Sequence, residues 1–237
     1  MIFSRIIPES VKERIRRRAG AMTLSARLEN LRRAGFLPKL IIDAGAYHGE
    51  WTRAVLKVFP EARVLMIEPQ IDKQEHLSKL AAKDARVSIR KALLGRKLSS
   101  VRFLLAESNS RVIPQHWTPP TGRVEERKID TLAQIVIEEN FTACDLLKLD
   151  LQGYELEALA GAGALFGNCE VIQIEVSWLR IGDVPLAGEV IAYFEQHRYR
   201  LYDIFGHNYR PLDGALWQTD LLFVRDDSRL LADLQWG

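Results

Sequence analysis

Leu40-Ile41-Ile42-Asp43-Ala44-Gly45-Ala46-Tyr47-His48-Gly49 is the stretch from which the fold can be inferred. Its first three residues form a short apolar run, as in a strand that is buried on both faces of a parallel sheet. After Gly49 the apolar residues change to helical spacing and continue to Pro60 (Trp51, Ala54, Val55, Val58 and Phe59). The glycines therefore lie in a strand-to-helix turn, where a ligand can approach the backbone and the first helical amides.

A second predicted strand, residues 63–67, ends in Glu68-Pro69. An acid that closes the second strand of a β-α-β unit can accept hydrogen bonds from the two hydroxyls of a ribose. The dinucleotide fingerprint G-x-G-x-x-G would require glycine at position 47, where the chain has Tyr47, so little room is left for a pyrophosphate. The pattern resembles instead the S-adenosylmethionine site of class I methyltransferases. The alternative is an α/β turn in which the glycines serve packing and the glutamate is solvated.

The composition is compatible with one α/β domain. The chain has 237 residues with 47% hydrophobic content, and its formal net charge of +2 gives no global field that would favour nucleic acid. No apolar run approaches the roughly 18 residues of a transmembrane helix, and the N-terminus lacks a signal-peptide core. Cys144 and Cys169 lack zinc-site spacing. We therefore expect a cytoplasmic protein with two buried, reduced thiols, and the sequence leaves its oligomeric state open.

The first residues are basic and amphipathic. Over residues 1–20 the arginines and Lys12 outnumber the two glutamates, which indicates a solvated helix or a helix on a membrane surface. A second helix is predicted over residues 25–33. These elements suggest an N-terminal helical extension over residues 1–35, followed by one domain over residues 36–237.

The middle of the chain is less regular. A helix over residues 71–82 and a short strand over residues 86–90 lead to Ala92, in a loop of the kind that flanks an adenine in nucleoside-binding folds. Alternating apolar residues then predict an edge strand or hairpin arm (Val101, Phe103 and Leu105). Residues 107–122 break every period, which predicts a functional lid or a disordered loop. Within it, His116 is a candidate substrate contact and Trp117 lies beside it.

Two further strands end in carboxylates. Residues 146–149 run into Asp150, and residues 171–174 run into Glu175. Open α/β sheets bind ligands at the strand ends, beside the switch between the first strand and the strand that begins the second half. Between the loop and these strands, Asp130 is predicted to cap a helix over residues 131–139. A helix near Val190 and strands over residues 200–205 and 221–224 predict an antiparallel addition to the sheet.

Taken together, four segments resemble the FkbM-type family of methyltransferases over about residues 36–225: Ile42–Trp51, Ile67–Pro69, Leu147–Glu155 and Ile174–Ser177. The Lys-x-Asp-x-x-Gly-Tyr-Glu block that begins at Lys148 is the most distinctive. The resemblance implies a Rossmann-like, seven-stranded, mostly parallel sheet with helices on both faces and an antiparallel C-terminal strand. It also implies S-adenosylmethionine as donor and O-methylation of a sugar or other small-molecule or glycan acceptor. Many members differ at Tyr47-His48, where they have asparagine, and at Gln152, where they have glutamate.

The expected site follows from these motifs. The predicted donor-binding residues are Asp43, Gly45, Ala46, Tyr47, Gly49, Glu68, Pro69 and Ala92. Asp150 and Glu175 are the catalytic candidates, as base and substrate clamp, because both close strands near the donor. Alternatively the pair holds a divalent cation or only caps the following turns. A second function class stays open, namely a non-catalytic nucleoside-binding or scaffold protein, and a nicotinamide-dependent reductase is opposed by Tyr47.

Overall fold

The computed structural model describes residues 23–70, 75–106, 110–119, 121–141 and 143–232. The basic segment 1–20, the start of the predicted helix 71–82 and part of the loop 107–122 lie outside the described residues. The helices are α1 Leu24–Arg33, α2 Glu50–Val58, α3 Glu75–Lys83, α4 Leu132–Glu138, α5 Glu155–Ala160, α6 Ala164–Asn168 and α7 Ala187–Gln196. The strands are β1 Leu40–Ala44, β2 Arg63–Ile67, β3 Val87–Arg90, β4 Leu93–Leu94, β5 Ser99–Leu105, β6 Arg111–Ile113, β7 Arg123–Asp130, β8 Leu146–Leu149, β9 Val171–Ser177, β10 Tyr199–Tyr209 and β11 Leu216–Arg225.

Seven strands form the central sheet in the order β10-β11-β9-β8-β1-β2-β3. The pairs from β9 to β3 are parallel, whereas β11 runs antiparallel to both β9 and β10. The prediction of a mostly parallel, seven-stranded sheet with an antiparallel C-terminal strand is therefore confirmed. From β1 the chain adds strands first on one side, at β2 and β3, and then on the other, at β8 and β9. The carboxyl end of β1 is therefore the point where the strand order reverses.

Helices cover both faces of this sheet. Ile41 and Ile42 are both fully buried, and their side chains enter different hydrophobic clusters because successive strand residues point to opposite faces. The Ile41 cluster includes apolar side chains of α1, α2 and α3, while the Ile42 cluster includes those of α4, α5, α6 and α7. The apolar run at the start of β1 is thus explained by burial on two sides.

A second, four-stranded sheet with the order β4-β7-β5-β6 was not predicted. β5 pairs with β6 as a hairpin arm, as expected, but it lies inside this sheet, so the expectation of an edge strand was wrong. β6 also forms within the segment that was predicted to be irregular. The strand β7 was missed because its exposed side chains are charged and only Ile129 is buried.

Three smaller features refine the predictions. Thr131, and not Asp130, caps α4, since its hydroxyl accepts a hydrogen bond from the amide of Gln134 at 3.3 Å and Asp130 is the last residue of β7. Glu175 lies within β9 and not after its end. Cys144 and Cys169 are free and buried, as expected, with their sulfurs 3.7 Å apart. No helix among the described residues has the length and apolar character needed to span a bilayer.

The junction between α5 and β4 allows a direct test of this packing. A Cβ added at Gly161 would lie 2.0 Å from the carbonyl oxygen of Gly95, a backbone atom that cannot turn away. We expect Gly161→Ala to lower the free energy of unfolding by at least about 1–3 kcal/mol, as overpacking does. Urea denaturation measures the change.

Gly167→Ala is the matched control. Gly167 lies within α6, and an added Cβ would meet no atom within 4 Å. Alanine is the better helix former, so this variant should be neutral or gain up to about 1 kcal/mol. Equal loss of stability in both variants would contradict the packing described here.

Candidate functional site

A cavity lies where the carboxyl ends of the central strands meet. Gly45 follows β1, Glu68 follows β2, Ala92 follows β3 and Asp150 follows β8, and all four line it. Parallel strands bring these ends to one edge of the sheet, beside the reversal between β1 and β8. The remaining wall comes from the turn after β8, through Gln152 and Tyr154, and from the second sheet, through Phe103 and Ser110.

Six of the predicted site residues line this cavity: Gly45, Tyr47, Glu68, Pro69, Ala92 and Asp150. Asp43 and Ala46 are buried behind the turn, and Gly49 begins α2 in a left-handed conformation. Glu175 does not line the cavity but accepts a hydrogen bond from Gln152, which does. The structure therefore brings the strand-end residues together and places the others in support of them.

Glu68 is held by the backbone at the floor of the cavity. One oxygen accepts a hydrogen bond from the amide of Tyr47 at 3.0 Å, and the other accepts one from the amide of Gln70 at 2.9 Å. Burial raises the pKa of Glu68, and the two amides oppose that shift. A carboxylate offers about four acceptor positions, so each oxygen can accept one further donor. These two free acceptor positions fit a pair of adjacent hydroxyl donors, such as those of a ribose.

The turn after β1 packs tightly on the end of β8. A Cβ at Gly45, whose φ is +81°, would lie 1.9 Å from the carbonyl oxygen of Asp150. The amide of Gly45 donates to the carbonyl of Ile67 at 2.9 Å, which ties the turn to β2 as well. Tyr47 also has a left-handed φ of +45°, and its ring stacks on His48. Glycine is therefore required at position 45 by close backbone contact.

Lys148 links this turn to two carboxylates. Its ammonium donates to the carbonyl of Gly45 at 2.7 Å and lies 3.4 Å from Asp43 and 3.3 Å from Asp150. Asp150 and Asp43 raise the pKa of Lys148 against the opposing effect of its burial, so it remains an ammonium. Sequence reasoning gave Lys148 no role of its own. The available signal was a lysine in an otherwise apolar strand, two residues before the candidate base.

Asp43 is the buried partner of this ammonium. One oxygen accepts a hydrogen bond from the hydroxyl of Thr52 at 2.6 Å, which fixes the start of α2 to the end of β1. The other has no hydrogen-bond donor among the described residues, so its stabilisation comes from the charge of Lys148. Asp43 thus acts on the turn and not on the cavity surface.

Carboxylates are concentrated around Asp150. Glu175 accepts hydrogen bonds from the side-chain amides of Gln152 at 3.1 Å and Gln218 at 2.9 Å, and Gln152 also donates to Asp150 at 3.0 Å. Burial, together with the charges of Asp150, Asp220 and Glu155, raises the pKa of Glu175 to about 8. Burial also raises the pKa of Glu155 to about 7 and that of Asp220 to about 6.

Hydrogen bonds hold the loop that carries His116 outside the cavity. The guanidinium of Arg102 donates to the carbonyls of Pro114, Gln115 and Trp117 at 2.8–3.0 Å. Arg102 alternates with the cavity-lining Phe103, so it projects from the opposite face of the second sheet. His116 is exposed, and neither His116 nor Trp117 lines the cavity.

No group of three or more histidine, cysteine, aspartate or glutamate residues in the described part of the chain is arranged to hold a metal ion.

Comparison with known proteins places these features in context. The model of the methyltransferase FkbM domain matches residues 43–201. Solved structures of similar fold include a precorrin-6y C5,15-methyltransferase from Geobacter metallireducens, with 12% identity, coverage of 85% of this chain and 86% of that one, and a TM-score of 0.48. Magnesium protoporphyrin IX methyltransferase (ChlM) from Synechocystis PCC 6803 with bound SAM has 11% identity, coverage of 92% and 85%, and a TM-score of 0.49. No curated protein sequence matches the chain significantly.

The buried carboxylates make stability depend on pH. The pKa values of Glu175, Glu155 and Asp220, at about 8, 7 and 6, lie above the ordinary 4.5 and 3.8, so the folded state binds more protons than the unfolded state between these limits. Stability should therefore fall as pH rises from about 4.5 to 8. Glu175→Gln removes one of these proton-binding groups. The slope of the free energy of unfolding against pH should therefore become shallower by up to about 1.4 kcal/mol per pH unit. Urea denaturation across this pH range measures it.

Glu195→Gln, at an exposed position of α7, is the control and should keep the wild-type pH dependence. If the Glu175→Gln and wild-type curves run parallel from pH 4.5 to 8, Glu175 does not take up a proton on folding.

Proposed function

The chain belongs to the FkbM family of methyltransferases, and from this premise we propose that it transfers a methyl group from S-adenosylmethionine to a hydroxyl of a sugar or another small metabolite. One observation carries the proposal: Glu68, which suits a ribose, and Asp150, a partly exposed carboxylate, line the same cavity. A donor and a proton acceptor can therefore act at one place.

We assign the donor to the half of the cavity formed by β1, β2 and β3. Glu68 would accept hydrogen bonds from the ribose hydroxyls, for which its geometry leaves one position on each oxygen. Pro69 and Ala92 give an apolar slot for the adenine, and the turn from Gly45 to Tyr47 meets the remainder of the donor. Asp43, Ala46 and Gly49 would act on the donor indirectly, through the shape of this turn.

The chemistry asks little of the protein beyond orientation and one proton transfer. The bound donor supplies a methyl group on a sulfonium, which is already electrophilic. The chain has to hold the acceptor oxygen in line and exclude water, an effect worth up to about 7–11 kcal/mol in favourable systems. A base that takes the hydroxyl proton typically adds about 10²–10⁴-fold.

Asp150 is the residue that we assign as this base. Its side chain is 34% exposed, while Lys148 and Gln152 contact its two oxygens and fix its direction. Asp150 follows β8, which pairs with β1, and the turn from Gly45 to Tyr47 that we assign to the donor follows β1. A carboxylate held in this way keeps an accessible lone pair on the cavity side for the acceptor hydroxyl.

The acceptor would lie between Asp150 and the second sheet. Phe103 and Tyr154 give an aromatic, partly apolar surface there, and Ser110 and Gln152 add hydrogen-bonding groups. This mixture suits a sugar or a similar small molecule, which presents both C–H faces and hydroxyls. Release of S-adenosylhomocysteine, measured against a panel of sugars and small-molecule alcohols, tests the proposal. Donor binding without turnover on any acceptor would favour the non-catalytic nucleoside-binding alternative.

Donor affinity should depend on the charge of Glu68. Glu68→Gln keeps the volume but removes the charge and one acceptor oxygen, so the ribose loses charge-assisted hydrogen bonds of about 1.5–3 kcal/mol each. We expect the dissociation constant for S-adenosylmethionine to rise at least about tenfold by titration calorimetry. Glu61→Gln, at an exposed position, is the control. An unchanged affinity in Glu68→Gln, or binding of NAD in place of S-adenosylmethionine, would contradict the assignment.

Loss of the Asp150 carboxylate should affect catalysis much more than donor binding. Asp150→Asn nearly preserves volume and should lower kcat by about 10²–10⁴-fold, because the base acts mainly in the transition state. The dissociation constant for the donor should change by less than about threefold. Asp227→Asn, at an exposed position after β11, is the control. Full turnover in Asp150→Asn would show that Asp150 is not the base.

A further inference from the structure

Gln152 joins Asp150 to Glu175 through the hydrogen bonds of one side-chain amide. Its side-chain nitrogen donates to Asp150 at 3.0 Å and to Glu175 at 3.1 Å. An amide nitrogen carries two hydrogens, so both bonds form at the same time. The amide is therefore a link between the residue that we assign as base and a second carboxylate behind it.

The Glu175 end of this link is fixed to the central sheet. Glu175 lies inside β9 and pairs directly with Asp220 of β11. Its carboxylate accepts a second hydrogen bond, from Gln218 of β11, at 2.9 Å. Glu175 does not line the cavity, whereas Asp150 and Gln152 do. Glu175 is thus in a position to anchor the link and out of direct contact with a molecule in the cavity.

The turn that carries Gln152 is also constrained. Gln152 has a left-handed φ of +53°, which is uncommon for a residue other than glycine and persists where the surroundings enforce it. Glu155 accepts hydrogen bonds from the amides of Leu151 at 2.7 Å and Gly153 at 3.1 Å. A Cβ at Gly153 would lie 2.4 Å from Val184, so this side of the turn is filled as well. The structure thus holds Gln152 in one conformation.

We propose that Gln152 is a positioning residue that ties Asp150 to Glu175 and so fixes the direction in which Asp150 meets the acceptor hydroxyl. Glu175 then acts through Gln152, as an anchor, and does not touch the acceptor. The inference rests on the proposed function, because it assigns Gln152 and Glu175 to the same methyl transfer.

The surrounding charges make the link necessary. Asp150 and Glu175 face Lys148 of β8, Asp220 of β11 and Glu155 of α5, and Asp43 of β1 contacts the same ammonium. Carboxylates therefore outnumber the ammonium in this cluster. Without the amide, no hydrogen bond would join Asp150 to Glu175, and the surrounding carboxylates would repel the Asp150 side chain from this position. The base would then leave its working position.

The decisive variants keep the length of Gln152 and change its hydrogen bonds. Gln152→Met removes both donors, and we expect kcat to fall about 10–100-fold while the dissociation constant for S-adenosylmethionine changes less than about threefold. Gln152→Glu adds a carboxylate, so the acidic limb of the kcat profile should shift about one pH unit upward. Turnover is measured with the alcohol of the panel that gives the fastest release of S-adenosylhomocysteine. Gln134→Met, on the exposed face of α4, is the control.

Variants of Glu175 test the anchor. Glu175→Leu should lower kcat as Gln152→Met does, and the double variant should show no further loss, because both changes break one link. Glu175→Gln retains an oxygen that can accept from Gln152 and Gln218, so it should recover most of the turnover lost in Glu175→Leu. If Glu175→Gln is as inactive as Glu175→Leu, the carboxylate itself takes part and the anchor role is wrong.

A titration without an acceptor gives an independent readout. In carbon-13-labelled protein, the carboxyl carbon of Glu175 can be followed by NMR as pH changes. A hydrogen bond to the ionised form favours it, so Gln152→Met should move the titration of Glu175 to higher pH. An unchanged titration together with wild-type kcat would overturn the inference. If Gln152→Met is fully active while Asp150→Asn is inactive, the positioning role fails and the proposed function stands.

Discussion

The buried ammonium of Lys148 is the interaction on which the site depends. It holds the carbonyl of Gly45 at the end of β1 and lies between Asp43 and Asp150, so one charge fixes the turn, its buried carboxylate and the candidate base. The register of the sheet makes this possible, because Asp43 pairs directly with Lys148 on the neighbouring parallel strand. Removing one partner of a buried pair leaves an uncompensated charge, at a cost of about 3–5 kcal/mol. The geometry of the cavity edge is therefore tied to this contact.

One ammonium does not neutralise all the acids around it, and glutamine side chains supply the remaining hydrogen bonds. Gln152 and Gln218 donate to Glu175, and Gln173 donates to Asp220 at 3.0 Å while accepting from the indole of Trp51 at 2.8 Å. Amide donors stabilise an ionised carboxylate without adding a second buried charge. The network runs from α2 across the central sheet to β11. It keeps the carboxylates close together and orders them, while burial keeps some of their pKa values high enough for a proton to remain.

The sequence predicts the central sheet well because its strands are buried on both faces, and a short apolar run that ends at turn glycines, such as Leu40 to Ile42, is typical of such strands. The second sheet is not predicted because β7 is rich in charged residues, which form ion pairs with one another along the strand. Glu125 contacts Arg123 at 2.9 Å and Arg127 at 2.6 Å. Such a strand has the composition of a solvated loop. In the site, the strand-end residues could be located from spacing, whereas the partners of Glu175 could not. Gln218 lies 43 residues away in sequence, and only the pairing of β9 with β11 brings the two together.

The second sheet also explains how the cavity wall and the candidate base keep a fixed relative position. Tyr154 packs against the hydrophobic cluster of Leu93, Phe103, Leu105 and Ile129, and it is four residues from Asp150 in the same turn. A Cβ at Gly95, just after β4, would lie 3.1 Å from the ring of Tyr154, so the two structures are in close contact. The turn is thus held on one side by the central sheet, through the hydrogen bond from Gln152 to Glu175, and on the other side by the second sheet, through the packing of Tyr154. Since Phe103 belongs to that same sheet, a shift of the cavity wall that it forms would also move the turn that carries Asp150. Close-packed interiors transmit such strain, and a rigid frame around the reacting groups is what an orientation-dependent reaction requires.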